Sequence, residues 1–276
     1  MHETFFVANL AYMNRLASTL YVPLRRLWCV CGLLVLLSVP RLFAQPSADA
    51  IAGFNIYSSQ LESRLAQQHR TPSGFIVLPA DPAARARLHA GDLLIEDLTP
   101  PRNTQPTDAL VHDWRATGFV PNATPADFER LLRDFSAYPH NFAPQILSST
   151  ILAQTPTSTL LRLRTRQHHV LTVVLDTTCD VSFSALDSAH RYSTSRSTRI
   201  DEIAPTGDHG ILYRLNTYWS YEQRDGGLYL QLESLSLTRS IPHGLVWAVQ
   251  PYLESIPRDS LVFTLTSARK ALTHNH

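Results

Sequence analysis

From about residue 145 to 239, apolar and polar residues alternate with a period of two. The alternation runs through segments at 145–153, 157–167, 170–185, 190–203, 210–222 and 227–239, and it predicts β-strands. The connections are short, and Asp225-Gly226-Gly227 is a strong hairpin signal. Loops this short exclude parallel crossovers, so the segments predict an antiparallel meander. A further strand is expected over 109–120.

Helical spacing frames the meander. Phe54, Tyr57, Leu61 and Leu65 predict one amphipathic helix over 50–68. Asp81-Pro82 starts a short helix that stops at Gly91, with Asp81 as cap. Phe75 to Leu78 and Leu93 to Ile95 are candidate short strands, and three prolines mark 99–107 as a linker. Thr124-Pro125 caps a helix that buries Phe128, Leu131, Leu132 and Phe135. His243 to Gln250 is a short apolar helical stretch, interrupted by Pro251. Pro257 then opens a longer helix with Leu261, Leu265, Ala268 and Leu272 in one stripe.

The alternation also assigns faces. Val173, Leu175, Cys179, Val181 and Phe183 share one side of their strand. Tyr213, Leu215, Trp219 and Tyr221 share one side of another, as do Leu228, Leu230 and Leu232. One sheet face is therefore expected to be apolar and the other wet, with the C-terminal stripe covering the apolar face.

Composition adds the compartment. Of 276 residues, 44% are hydrophobic and 17% charged, and the net charge is +1. Such a balance excludes a disordered chain and a nucleic-acid binder that works by counterion release. Leu27 to Val39 is an uncharged run behind Arg25 and Arg26. It is shorter than the ~20 residues a spanning helix needs. Residues 1–44 therefore read as a signal peptide ending near Leu42-Phe43-Ala44, with translation starting at Met1 or Met13; an uncleaved anchor is the alternative. Cleavage would remove four arginines, one glutamate, Cys29 and Cys31, leaving 20 basic and 22 acidic residues and Cys179. A chain with one thiol forms no internal disulfide. The expected organisation is a leader (1–44), an extension with linker (45–105) and a main domain (106–273), in the periplasm or secreted.

The order strand, helix, short helix, meander and long C-terminal helix resembles the START-like, or SRPBCC, superfamily over roughly 105–273. The local signals are Asn122-Ala123-Thr124-Pro125-Ala126-Asp127-Phe128, Asp134-Phe135-Ser136-Ala137-Tyr138-Pro139 and Gln145-Ile146-Leu147-Ser148-Ser149. Further on, Tyr218-Trp219-Ser220-Tyr221-Glu222, Leu235-Ser236-Leu237-Thr238-Arg239 and Glu254-Ser255-Ile256-Pro257-Arg258-Asp259 are similar to secreted bacterial START-like proteins of unsettled function. The resemblance implies an α+β helix-grip fold. In it a curved antiparallel sheet wraps a C-terminal helix and encloses a hydrophobic cavity, here with an N-terminal helical extension.

On that footing the expected cavity lining is Phe183, Tyr213, Trp219, Tyr221, Leu230 and Leu232, together with Val181. A two-residue turn at Asp187-Ser188 would place Arg196 opposite Cys179 and turn it inward, where a guanidinium could anchor a carboxylate or phosphate. A register slip of one residue would turn it to solvent or into a structural ion pair instead. Arg162, Arg164 and Arg166 share one strand face and form a basic stripe suited to anionic headgroups or a partner. His168 and His169 are neighbours on a strand, face opposite ways and cannot share a metal. No catalytic motif, metal set or cofactor site is expected. The expected function is non-catalytic binding or carriage of a lipid or isoprenoid-like ligand, with contact to a membrane surface and none to nucleic acid. The alternatives are a cyclase- or hydrolase-type enzyme and an envelope protein with a filled core.

Overall fold

The computed structural model describes residues 46–106, 108–168, 172–203, 212–240 and 246–274. The expected leader and His169 lie outside these residues. Strands β1 (Leu94–Asp97), β2 (Ala109–Pro121), β3 (Ile146–Gln154), β4 (Ser158–His168), β5 (Thr172–Ala185), β6 (His190–Glu202), β7 (Leu212–Arg224) and β8 (Gly227–Arg239) form one antiparallel sheet. Its order is β1-β2-β8-β7-β6-β5-β4-β3. The meander runs from β3 to β8, and β8 returns beside β2.

Helices α1 (Ala48–Gln68), α2 (Pro82–His89), α3 (Pro125–Arg133), α4 (Tyr138–Asn141) and α5 (Val246–His274) complete the fold. Their starts follow the capping chemistry. The Asp81 side chain accepts from the Ala83 N–H, with Pro82 at the first helical position. At α3, Thr124 and Asp127 form a reciprocal capping box in front of Pro125. The β7–β8 hairpin needs positive φ at both turn residues, and Asp225 (φ 56) and Gly226 (φ 77) supply it. Beyond it, Gly227 lies so close to β2 that an added Cβ would sit 2.5 Å from the Val120 carbonyl oxygen.

The concave face of the sheet holds the main core. Ala116, Val120, Trp219, Tyr221, Leu228, Leu230 and Leu232 from the strands pack against Phe128, Leu131 and Leu132 of α3 and Leu261, Leu265, Ala268 and Leu272 of α5. The C-terminal stripe thus covers the sheet as its spacing predicts. Contrary to the broken helix expected, α5 runs unbroken through Pro251 and Pro257. A proline inside a helix removes one backbone donor and costs about 3 kcal/mol. Burial of several large side chains, at roughly 1.5–3 kcal/mol each, outweighs that cost.

The expected wet face is not wet over half the sheet. Helix α1 lies on the convex side of β2, β8 and β7, where Ala50, Phe54, Leu61 and Leu65 pack on Val111, Tyr213, Leu235 and Leu237. The polar residues of this face are buried too: Asp113, Arg115, Asn216, Ser220, Gln231 and Glu233 are each at most 8% exposed, as is His69 at the end of α1. Phe75 and Ile76 form no strand. They are side chains of a third cluster, with Leu88, Phe119 and Tyr229. Alternation reports only that one side differs from the other; it does not report that a distant helix covers the polar side.

Candidate functional site

Between α5 and the concave face of β4–β7 lies a cavity of about 190 Å³. Leu161, Leu163, Leu175, Cys179, Val181, Phe183 and Trp219 form its strand wall, and Leu132, Tyr138, Phe142 and Phe263 close it from the helices. Its polar lining is neutral: Gln145, Thr165, Gln167, Thr177, Ser193, Ser195, Thr217, Ser260 and Thr264. The space has a local cause. The inward positions of β6 are serines, Ser193 and Ser195, opposite Phe183 and Val181 of β5. Small side chains there leave room that leucines at Leu230 and Leu232 fill in the neighbouring half of the sheet.

Two groups in the lining are held in their neutral forms. Burial pushes the Cys179 thiol up to about 11, which makes it an inert wall residue at neutral pH. Tyr138 donates its hydroxyl proton to the Leu132 carbonyl oxygen at 2.6 Å, and burial raises its pKa far above the ordinary value. The lining can therefore bury apolar surface and exchange neutral hydrogen bonds with an occupant.

The eight sequence-derived residues divide into three groups. Val181, Phe183 and Trp219 line the cavity. Tyr221, Leu230 and Leu232 share the concave face but sit in the packed core; the Tyr221 ring meets Phe128 edge-on at 5.0 Å, and its hydroxyl donates to Glu129 Oε2 at 3.3 Å. Tyr213 and Arg196 are on the opposite, convex side. A register irregularity between Leu212 and Arg214 turns Tyr213 outward, under α1. For Arg196 the loop between β5 and β6 is longer than two residues, and Ala185 pairs with Arg191. The register moves by one, so Arg196 lies opposite Asp180 rather than Cys179. Its Nε donates to Glu62 Oε1 of α1 at 2.6 Å. It fastens the extension and takes no part in the cavity.

Several cavity residues escaped the sequence reading. Ser193 and Ser195 look like the polar side of β6, and Leu161 and Leu163 are uninformative until their strand is placed. The visible signal was the opposition of Leu161, Leu163, Thr165 and Gln167 to Arg162, Arg164 and Arg166 along β4.

One more concentration of charge lies beneath α1. Tyr57 donates to Asp113 Oδ2 at 2.8 Å, and Arg64 is paired with Glu233. Arg115 makes two hydrogen bonds of 2.9 Å to Glu96. Burial, with the nearby Glu233 carboxylate, pushes the Asp113 carboxyl up to about 7. Nearby, His69 accepts from or donates to Ser220 Oγ at 2.8 Å, and burial lowers its pKa to about 4. These groups are closed over by α1 and join the extension to the sheet.

The order of elements, the curved antiparallel sheet and the long C-terminal helix lying on its concave face are those of the START-like helix-grip fold. No protein-family model matches the chain, and no curated protein matches it by sequence. Solved structures similar to it include a STAR-related lipid transfer protein from Xanthomonas axonopodis. It is 18% identical, with TM-score 0.42 over 65% of this chain and 98% of that one. An aromatase/cyclase from a Streptomyces species is 20% identical, with TM-score 0.45 over 59% and 94%. Human StAR-related lipid transfer protein 5 is 12% identical, with TM-score 0.43 over 82% and 99%.

Proposed function

We propose that this protein is an exported, non-catalytic binding or carrier protein for a small hydrophobic or amphipathic ligand. The observation that carries the reading is the cavity between α5 and the sheet, walled by apolar side chains and dotted with neutral hydroxyls and amides. Burial of an apolar ligand there is worth about 25 cal/mol per Å² of surface removed from water. At about 190 Å³ the cavity is smaller than the roughly 300–1,000 Å³ of typical ligand pockets, which favours a short chain or single ring over a two-chain lipid. Export rests on the Leu27–Val39 run behind Arg25 and Arg26.

The test is calorimetric binding of a neutral single-ring probe, n-butylbenzene, with Ser195→Phe as the variant that fills the cavity. Saturable binding that falls at least tenfold in the variant is expected. Native mass spectrometry of protein from its own periplasm then identifies the occupant. An empty protein that binds no probe would overturn the reading in favour of a structural role. Chemical change of an added ligand would establish the enzyme alternative.

A further inference from the structure

We infer that the free edge of the sheet, β3 with the outer face of β4, is a docking surface for an anionic lipid bilayer. Strand β3 is the last in the sheet and pairs only with β4. It carries no charged residue. It also holds three of the large apolar side chains most open to solvent: Leu147 at 39%, Ile151 at 46% and Leu152 at 40% exposed. The outer face of β4 presents Arg162, Arg164 and Arg166, all exposed, with Thr150 and Ser148 of β3 paired to the first two, while Ile151 pairs with Leu161 on the other side of the sheet. Arg164 is committed to Asp176 at 2.7 Å, whereas Arg162 and Arg166 make no ion pair among the described residues. An uncharged edge strand with open apolar side chains, next to a strand whose outer face carries arginines, matches the interface of an anionic membrane, which takes up both.

The backbone argues against another strand as the occupant. Register irregularities between Ile146 and Ser148 and between Ile151 and Ala153 interrupt the ladder of β3. Bulges of this kind spoil an edge for strand addition. A bilayer needs no backbone donors. The surface also adjoins the cavity, since Ile146 and the inward side of β4 line it. A docked protein would thus hold the cavity wall alongside the membrane.

Hydrogen exchange read by mass spectrometry tests this on the full chain, with vesicles of phosphatidylglycerol or of phosphatidylcholine. Protection over residues 146–168 is expected with phosphatidylglycerol and not with phosphatidylcholine, and it should weaken as salt is raised. Arg162→Glu with Arg166→Glu should reduce the affinity behind that protection at least tenfold, and Leu147→Ser with Leu152→Ser should reduce it as well. Protection absent from 146–168, equal on both lipids, or unchanged in the charge-reversed variant would overturn the inference. None of these outcomes depends on whether the cavity holds a ligand.

Discussion

Single residues carry two expectations of opposite kind. The Asp113 carboxyl is held well above its ordinary value by burial and by Glu233. The folded protein therefore binds this proton more tightly than the unfolded chain does. The sign follows: its contribution to stability is fully present below about pH 4 and is lost as the pH rises towards 7. His69, held near 4, acts with the opposite sign over part of the same range, so the expectation concerns the comparison with Asp113→Asn: the stability of the protein relative to this variant should fall from pH 5 to pH 8 in chemical denaturation. A relative stability that stays constant between the two pH values would assign the effect elsewhere. Gly227 gives a steric expectation. An added methyl would collide with the Val120 carbonyl and the Phe119 ring, so Gly227→Ala should lower the unfolding free energy, read from urea denaturation, by about 1–3 kcal/mol. At this scale the sequence was informative where a rule is local, as with the Thr124 cap or the Asp225-Gly226 turn. It was uninformative about Arg196, whose direction hangs on the length of the loop over residues 186–189.

At the level of elements, strands and helices were legible because their periods differ. What the pattern could not show was how α1 is used. Its apolar stripe was plain, but its destination is a sheet face made of Val111, Tyr213, Leu235 and Leu237 alternating with carboxylates and amides. On paper such a face looks half polar. Tyr57, Arg64 and Glu62 from α1 provide partners for Asp113, Glu233 and Arg196, so the buried polar groups belong to the helix–sheet joint. Phe54 is the buried anchor of that joint, at 2% exposure. Phe54→Ala should cost about 3–5 kcal/mol, measured by chemical denaturation. Glu62→Ala, which breaks a partly exposed pair, should cost about 1 kcal/mol or less. Equal costs for the two would mean that the ion pair, rather than apolar burial, holds α1 in place.

For the whole molecule, the sheet is divided. Its β2–β8–β7 half is covered on both sides, by α1 outside and by α3 with α5 inside, and is filled. Its β4–β6 half keeps the serines that leave a cavity, and its outer side is open to solvent at the arginines. The proposed binding and docking thereby fall on one half, and the packed core on the other. The layout also bears on where the chain can be cut. Someone wishing to crystallise only the strands from β2 onward with α5 would start near residue 106. That fragment would leave Leu235, Leu237 and Val111 bare, with Asp113 and Glu233 stripped of Tyr57 and Arg64. It should come out of expression insoluble, whereas a fragment beginning at Pro46 should stay in solution. The shortest useful clone of this protein is set by its outermost helix.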